Sequence, residues 1–585
     1  MDGICGVLRA DGKRVEPAVL RGMADSMGRR DVEPFEAGPG GAARVALAGS
    51  SNDAERVARL YEERGEGFPG LLRGAFAIAL WDPKAKKLLL VRDPLGGKSL
   101  YYALHEGAIL VASEIKALLA YPGFKPRVRL EAIHQYLTYQ YVPGPGTVYE
   151  GVGRVPPGTL LAFEGGRLAR EVRYWRPDFR RKADVSFEDA CARIRELALE
   201  SVRACMRTEL PLGAFLSGGV DSSVVVGLMS GLSKGPVKTF SVVFEEPEFS
   251  ELRYAKLVMD RCRADAQVFT VRASDARDLL PKLAWHYDQP FADSSALPTY
   301  CVCREAGRSV RVALNGDCGD ENFGGYLRYL AIKGSQVLGV PFRLLGKEGT
   351  RRLASVLPQV ETTKSKSMFK HMHRLFSALA EPPERRNMLW HSYFTHETKM
   401  RVYGRDMKER FGPLDAGDYL AEVFRQAPAE DVVDRSICTD LDTYLPECLI
   451  IKMETAAAAN GIEARAPFAT RELFEFTASL PSSWKIRGLT TKYIMKRAFG
   501  DLLPREILRR EKKGFGIPLG KWFRVQLKYY LLDVLFSAEA MNRGYFDRKG
   551  LRDLVDEHID GVRDHGYRLW ALLMLEHWHR VFTDK

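Results

Sequence analysis

The residues best suited to chemistry lie in Leu216–Ser223, Leu-Ser-Gly-Gly-Val-Asp-Ser-Ser, between the apolar run Leu210–Phe215 and a helical stretch over Val224–Leu232. Strand, glycine turn and helix N-terminus together make an anion site. Gly218 and Gly219 let the backbone turn tightly, its N–H groups face outward, and the helix dipole favours negative charge. Ser217, Ser222 and Ser223 add hydroxyl donors. Asp221 would repel a phosphate unless a cation stood between them, so it reads as a Mg2+ ligand. The string lacks the Gly-Lys-Ser/Thr of the Walker loop, which disfavours simple phosphoryl transfer. A second chemical segment follows the apolar Val310–Leu314: Gly316, Asp317, Asp320 and Glu321 within Asn315–Tyr326. Three carboxylates in a glycine loop suit a cation, although hydrated surface loops carry such clusters too. The third is Arg510–Gly516, whose glycines give a mobile loop and whose Lys512 offers a cation to an anionic intermediate, solvation alone being the other reading.

These segments need a frame. Around the first, Phe187–Cys205 and Glu251–Arg261 read as helices, and Lys238–Phe244 and Ala266–Val271 as strands. Strands alternating with helices imply an α/β domain with a parallel, doubly wound sheet and ligands at the strands' C-terminal ends. Nearer the N-terminus, strands are expected at Gly3–Leu8, Ala43–Ala48, Gly74–Trp81, Lys87–Arg92 and Ile109–Ser113, and helices at Ala18–Met27, Asp53–Arg64 and Glu114–Tyr121. Strand pairs with few helices suggest antiparallel sheet layers and an α+β architecture. Residues 166–185 are charged and irregular, a linker between domains at 1–165 and 186–585.

Bulk composition narrows the class. A chain of 585 residues is too long for one core, and its 46% hydrophobic and 28% charged content is ordinarily globular. The net charge of +12 would serve phosphate ligands, an acidic partner or solubility. No RNA-binding signature or zinc spacing accompanies it, and the basic stretch from Arg343 to Arg374 reads as a solvated face, so no nucleic-acid partner is expected. Cys301 and Cys303 read as a buried pair, not half a metal site. Nine scattered cysteines suggest reduced thiols. No apolar run reaches the ~20 residues of a membrane span, and the N-terminus does not read as a signal peptide, so a cytoplasmic location is expected.

The string Ser-Gly-Gly-Val-Asp-Ser after an apolar strand resembles the pyrophosphate loop of the N-type ATP pyrophosphatases, which make AMP and pyrophosphate. Arg92–Tyr102 and Ser113–Leu118 resemble the glutaminase domain of class B asparagine synthetases, and Val142–Gly158 the connector into their synthetase domain. Asp288–Tyr300, Asn315–Tyr326, Tyr444–Pro467, Thr490–Tyr493 and Arg510–Gly516 extend the likeness over nearly the whole chain. The resemblance implies an N-terminal nucleophile fold, a sandwich of antiparallel sheets between helices, followed by a synthetase domain that uses ATP and Mg2+. It places ATP and pyrophosphate on Leu216, Ser217, Gly218, Gly219, Asp221, Ser222, Ser223, Val243 and Gly316. Mg2+ falls to Asp221 and Asp320, and catalysis to Asp317, Glu321, Lys492 and Lys512. In this reading Asp317 receives the incoming amine, and Lys512 neutralises charge on the α-phosphate and acyl oxygen. β-Lactam synthetases have a tyrosine where Asp317 stands, so β-lactam closure is disfavoured. Aspartate with ammonia is the first expectation for substrates. The alternatives are a peptide carboxylate joined to an internal amine, as in lasso-peptide cyclases, and a catalytically silent relative. Homodimer formation stays open.

The departures concern mainly the first domain. The family pattern begins Met-Cys-Gly-Ile, and this chain has Asp2 at the nucleophile's place, which lacks a thiolate's reactivity towards an amide. Cys5 reads as a small buried strand residue. Arg29-Arg30-Asp31-Val32 replaces the usual Arg-Gly-Pro-Asp, and the glutamine-clasping segments have no counterpart, although Asp53 matches the family's glutamine-amine aspartate. A degenerate glutaminase domain is expected. In the second domain Gln289 replaces a glutamate, and Glu454-Thr455-Ala456 replaces the family's Asp-Arg-x.

Overall fold

The computed structural model describes residues 3–9, 14–28, 32–37, 44–49, 53–336, 378–379, 381–510, 512, 514 and 516–584. Asp2, Arg29–Asp31 and the basic stretch Arg343–Arg374 lie outside them. Among the described residues no helix is long and apolar enough to cross a membrane.

Ten strands form the first layer pair: β1 (Gly3–Arg9), β2 (Val32–Ala37), β3 (Arg44–Ala48), β4 (Ala77–Asp82), β5 (Lys87–Arg92), β6 (Tyr101–His105), β7 (Ala108–Ala112), β8 (Val152–Arg154), β9 (Thr159–Glu164) and β10 (Arg167–Arg173). They make two five-stranded sheets, ordered β2-β1-β7-β6-β8 and β10-β9-β5-β4-β3. Strand side chains alternate between faces, and those pointing inward from both sheets meet in one cluster. Ile4, Ile109 and Val111 of the first sheet pack there with Ala79, Leu88, Leu90 and Phe163 of the second. All pairings are antiparallel except β1 with β2, which run parallel. Two expectations are corrected here. The first sheet is mixed, and the segment read as linker carries β10, the edge strand of the second sheet. Its residues are exposed throughout, which is why its composition looks like a linker's.

The second half is built on β11 (Leu212–Phe215), β12 (Lys238–Phe244), β13 (Asp265–Val271), β14 (Val312–Leu314) and β15 (Glu463–Arg465), ordered β13-β12-β11-β14-β15. All four pairings are parallel. Parallel neighbours need crossovers, and helices such as Val220–Leu232, Leu252–Cys262 and Ala296–Ala306 occupy them. The strand order reverses direction at β11, which has β12 on one side and β14 on the other. In an open parallel sheet that reversal leaves a crevice beyond the strands' C-terminal ends. The segments singled out for chemistry follow β11 and β14, so topology alone sets them side by side. The helix after β11 begins at Val220, four residues before its apolar run. Asp221, Ser222 and Ser223 therefore lie in its first turn, under the positive end of its dipole.

The two halves share a continuous apolar cluster that runs from Cys5 and Tyr136 through Phe240 and Leu283 to Trp570 and Trp578. Buried or half-buried charges pair across the same boundary. Lys116 meets Asp288 at 2.8 Å, Lys98 meets Glu454 at 2.6 Å, and Arg154 pairs with Glu447. Removing one partner from a buried pair leaves an uncompensated charge at a cost of several kcal/mol, so these pairs fix the register of the halves.

Candidate active site

The anion loop is held from three sides. Leu216 N–H donates to the Phe240 carbonyl at 2.9 Å, and Ser241 Oγ donates to the Leu216 carbonyl at 2.6 Å. Gly218 sits at φ +76°, and a Cβ there would stand 2.5 Å from the Ala255 nitrogen. Only glycine allows both the left-handed backbone and that approach. Inside the turn, Ser217 Oγ lies 3.1 Å from Ser222 Oγ and accepts the Gly219 N–H at 3.2 Å. Ser223 Oγ is buried with no hydrogen-bond partner among the described residues. Val243 belongs to β12, one residue before its C-terminal end on the loop's side of the sheet.

The acidic loop after β14 closes against this turn. A Cβ on Gly316 would lie 2.7 Å from the Ser222 nitrogen and 2.8 Å from Asp221 Cβ, so glycine lets the two loops touch. The short helix Gly319–Phe323 starts at Cys318, which stands at φ +70°. Asn322 ties that helix down, donating to the Cys318 and Phe468 carbonyls at 2.9 Å each. On the opposite wall Lys492 also takes a left-handed backbone, at φ +54°. Such conformations cost a side-chain-bearing residue roughly 1–2 kcal/mol, and here both flank one charge cluster.

At its centre, Lys492 Nζ bridges Asp221 and Asp320, 2.7 Å from the Asp320 carboxylate. Lys512 pairs with the other Asp320 oxygen. Burial alone would raise Asp320 and lower Lys492, but the attraction wins. Lys492 and Lys512 hold Asp320 well below the usual carboxylate range, and the two aspartates hold Lys492 well above the usual lysine value. Burial, with the nearby Asp221 and Asp320 charges, pushes Asp317 up to about 6 against the pull of Lys452. Burial and Asp320 likewise push Glu321 up to about 7, although Tyr326 donates to it at 2.6 Å.

Among the described residues no three His, Cys, Asp or Glu side chains converge as a preformed metal cage. The donor set nevertheless fits Mg2+, which is usually bound through one or two carboxylates plus substrate phosphates. Asp221 Oδ1 is buried without a hydrogen-bond partner among the described residues. Asp320 is its neighbour across Lys492, whose ammonium marks the point between them as favourable for a cation.

Sequence-selected residues therefore meet at one place: the turn Leu216–Ser223, Gly316, Asp317, Asp320, Glu321, Lys492 and Lys512. Two groups were missed. Lys452 Nζ lies 2.9 Å from Asp293 and 2.8 Å from Ser295 Oγ, and its charge reaches Asp317. The hydroxyl-rich run Asp293-Ser294-Ser295 was the available signal. Arg510 contacts the anion turn directly, and only its place beside Lys512 hinted at it.

The first-domain candidates have structural employment. Asp53 caps the helix Ala54–Arg64 by accepting the Arg56 N–H at 2.6 Å. Cys5 is fully buried in β1, and burial pushes its thiol up to about 12. A thiol so raised is no nucleophile near neutral pH.

Comparison with known proteins places these features in a family. The asparagine synthase family model matches residues 193–580, and a glutamine amidotransferase domain model matches residues 43–175. A Mycobacterium tuberculosis protein named for glutamine-hydrolysing asparagine synthetase is 32% identical over 553 residues, covering 92% of this chain and 81% of the relative. Glutamine-hydrolysing asparagine synthetase 1 of Bacillus subtilis is 28% identical over 541 residues, covering 92% and 82%. A Penicillium rubens protein named as an amidase is 25% identical over 553 residues, covering 87% and 79%. With the family model spanning more than half of the chain and the site drawn from within that span, the chain belongs to the asparagine synthase family.

Proposed function

We propose that the protein is an ATP-dependent, amide-forming ligase that activates a carboxylate as its adenylate and passes the acyl group to ammonia or another amine. The observation that carries this is the pairing of Asp221 and Asp320 around Lys492, between the two loops at the sheet's switch point and beside Lys512. A substrate carboxylate oxygen attacks the α-phosphorus of ATP, and pyrophosphate leaves. The amine then attacks the acyl carbon, loses a proton, and AMP leaves with the carboxylate oxygen. The turn Leu216–Ser223 would receive the pyrophosphate, whose charge the helix N-terminus favours. Asp221 and Asp320 would hold Mg2+, which supplies charge neutralisation on the phosphates when bound. Lys512 would neutralise the charge that develops at the acyl phosphate, while Lys492 fixes both aspartates. Asp317 is suited to the ammonium-like nucleophile, because its carboxylate is ionised above about 6 and can take up a proton. Glu321, near 7, would share that proton traffic.

Aspartate with ammonia is the first substrate pair, in keeping with the names of the relatives. One observation favours a second reading. Thr455 stands where the resembling family has an arginine, and neighbouring Glu454 is engaged by Lys98 at 2.6 Å. A site altered there suits another carboxylate, including that of a peptide joined to an internal amine. Free thiols at all nine cysteines suit a cytoplasmic protein. The test is AMP release with MgATP and ammonia across a panel of free amino acids, dicarboxylates and peptides. Strong aspartate turnover would sink the peptide reading. Turnover only with other acids would sink asparagine synthesis, and no AMP with any acid would sink the ligase reading.

A further inference from the structure

We infer that Arg510 is a positioning residue for the nucleotide: it fixes the orientation of the Gly218–Gly219 peptide and, through it, the inner N–H of the anion turn. The inference rests on the reading of Leu216–Ser223 as the pyrophosphate loop. Gly218, at φ +76°, is free to rotate at little cost, so the covalent chain does not choose which way this peptide faces. Arg510 chooses. Its Nη1 donates to the Gly218 carbonyl at 2.6 Å, its Nη2 pairs with Glu251, and the guanidinium lies 4.4 Å from the Tyr254 ring centroid. Tyr254 and Ala255 fill the space beside Gly218, so the arginine and the helix Leu252–Cys262 form one wall behind the turn.

The side chain is only 5% exposed, and both terminal nitrogens are engaged by protein. Arg510 therefore acts through Gly218 and is not itself placed as a phosphate ligand. A carbonyl and the following N–H lie on opposite edges of one planar peptide. With the Gly218 carbonyl held against Arg510, the Gly219 N–H turns inward and donates to Ser217 Oγ, which lies 3.1 Å from Ser222 Oγ. The same anchor stands two residues before Lys512, so it also roots the segment that reaches Asp320.

The test is equilibrium binding of MgATP to the full-length protein by calorimetry, with the thermal midpoint followed in parallel. Arg510→Met should weaken binding by about 10- to 100-fold, the size expected for a lost hydrogen bond from a charged donor. Arg510→Lys keeps a charge and a donor but loses the fork that engages the Gly218 carbonyl and Glu251 together, and should weaken binding by about three- to tenfold. Arg510→Met combined with Glu251→Gln removes both charges and should stay weak, because the carbonyl contact is still missing. Wild-type affinity in Arg510→Met, or recovery in the double variant, would overturn the inference, the second by showing a charge effect. Should Arg510→Met fail to melt cooperatively, Arg510→Lys carries the test: a measurable weakening at an unchanged thermal midpoint supports positioning, and unchanged affinity overturns it. Binding without turnover would sink only the ligase reading, whereas a wild-type protein with no affinity for MgATP would overturn both.

Discussion

Replacing Asp221, Asp320 or Lys512 with alanine is expected to lower the exchange of labelled pyrophosphate into ATP by at least about a hundredfold, since each ~1.4 kcal/mol of lost transition-state stabilisation is a tenfold loss. The three side chains share one electrostatic unit. Asp221 and Asp320 are both bridged by Lys492, whose side chain is 4% exposed, and Lys512 completes the Asp320 pairing. Either aspartate variant leaves that lysine short of a partner and removes a candidate Mg2+ oxygen. Melting curves belong beside the kinetics, because breaking a buried pair costs ~3–5 kcal/mol of stability. Chelating Mg2+ from the wild type should abolish exchange without that destabilisation. Asp317→Asn should behave differently, keeping exchange within about tenfold while amide formation falls far more, because its proposed role begins after the adenylate forms. Three alanine variants near wild-type activity would contradict the assignment, and so would parallel losses of both half-reactions in Asp317→Asn.

The second large effect is an absence: the protein is expected not to convert glutamine to glutamate, with or without ATP. The family's glutaminase unit is one residue serving twice, its thiolate attacking the amide and its α-amine acting as base. At that place the chain has Asp2, whose carboxylate is a poor nucleophile towards an amide. The nearest cysteine in sequence, Cys5, has its amine in a peptide bond and its thiol buried at 0% exposure and pushed up to about 12. Asp53, the matching aspartate for the glutamine amine, is occupied as a helix cap. Ammonia should therefore support amide formation where glutamine does not. Glutamate release above a Cys5→Ala control would overturn this.

Much of the site was legible because its chemistry is local. Leu216–Ser223 and Asn315–Tyr326 each end an apolar strand, and a glycine turn with charges at that place has few packing explanations. The strands Lys238–Phe244 and Lys87–Arg92 and the helix Phe187–Cys205 appear with the bounds their periodicity indicates. What escaped depends on partners far along the chain. β15 is three residues of mixed polarity, Glu463–Arg465, made a strand only by pairing with β14. β10 is exposed along its whole length and owes its form to β9. The parallel β1–β2 pairing has no local signature, since register and direction are set across the sheet. Arg510 and Lys452 looked like ordinary cations until the fold set one against the Gly218 carbonyl and the other between Asp293 and Asp317.

Carboxylate adenylation is tested most directly by the fate of a labelled oxygen. The acid that turns over is supplied with 18O in its carboxylate, together with MgATP and ammonia, and the products are read by mass spectrometry. The account predicts AMP carrying one 18O atom in its phosphate, with unlabelled pyrophosphate, because the carboxylate oxygen bonded to the α-phosphorus leaves with AMP when the amine attacks. ADP with labelled inorganic phosphate, or AMP without label, would contradict it.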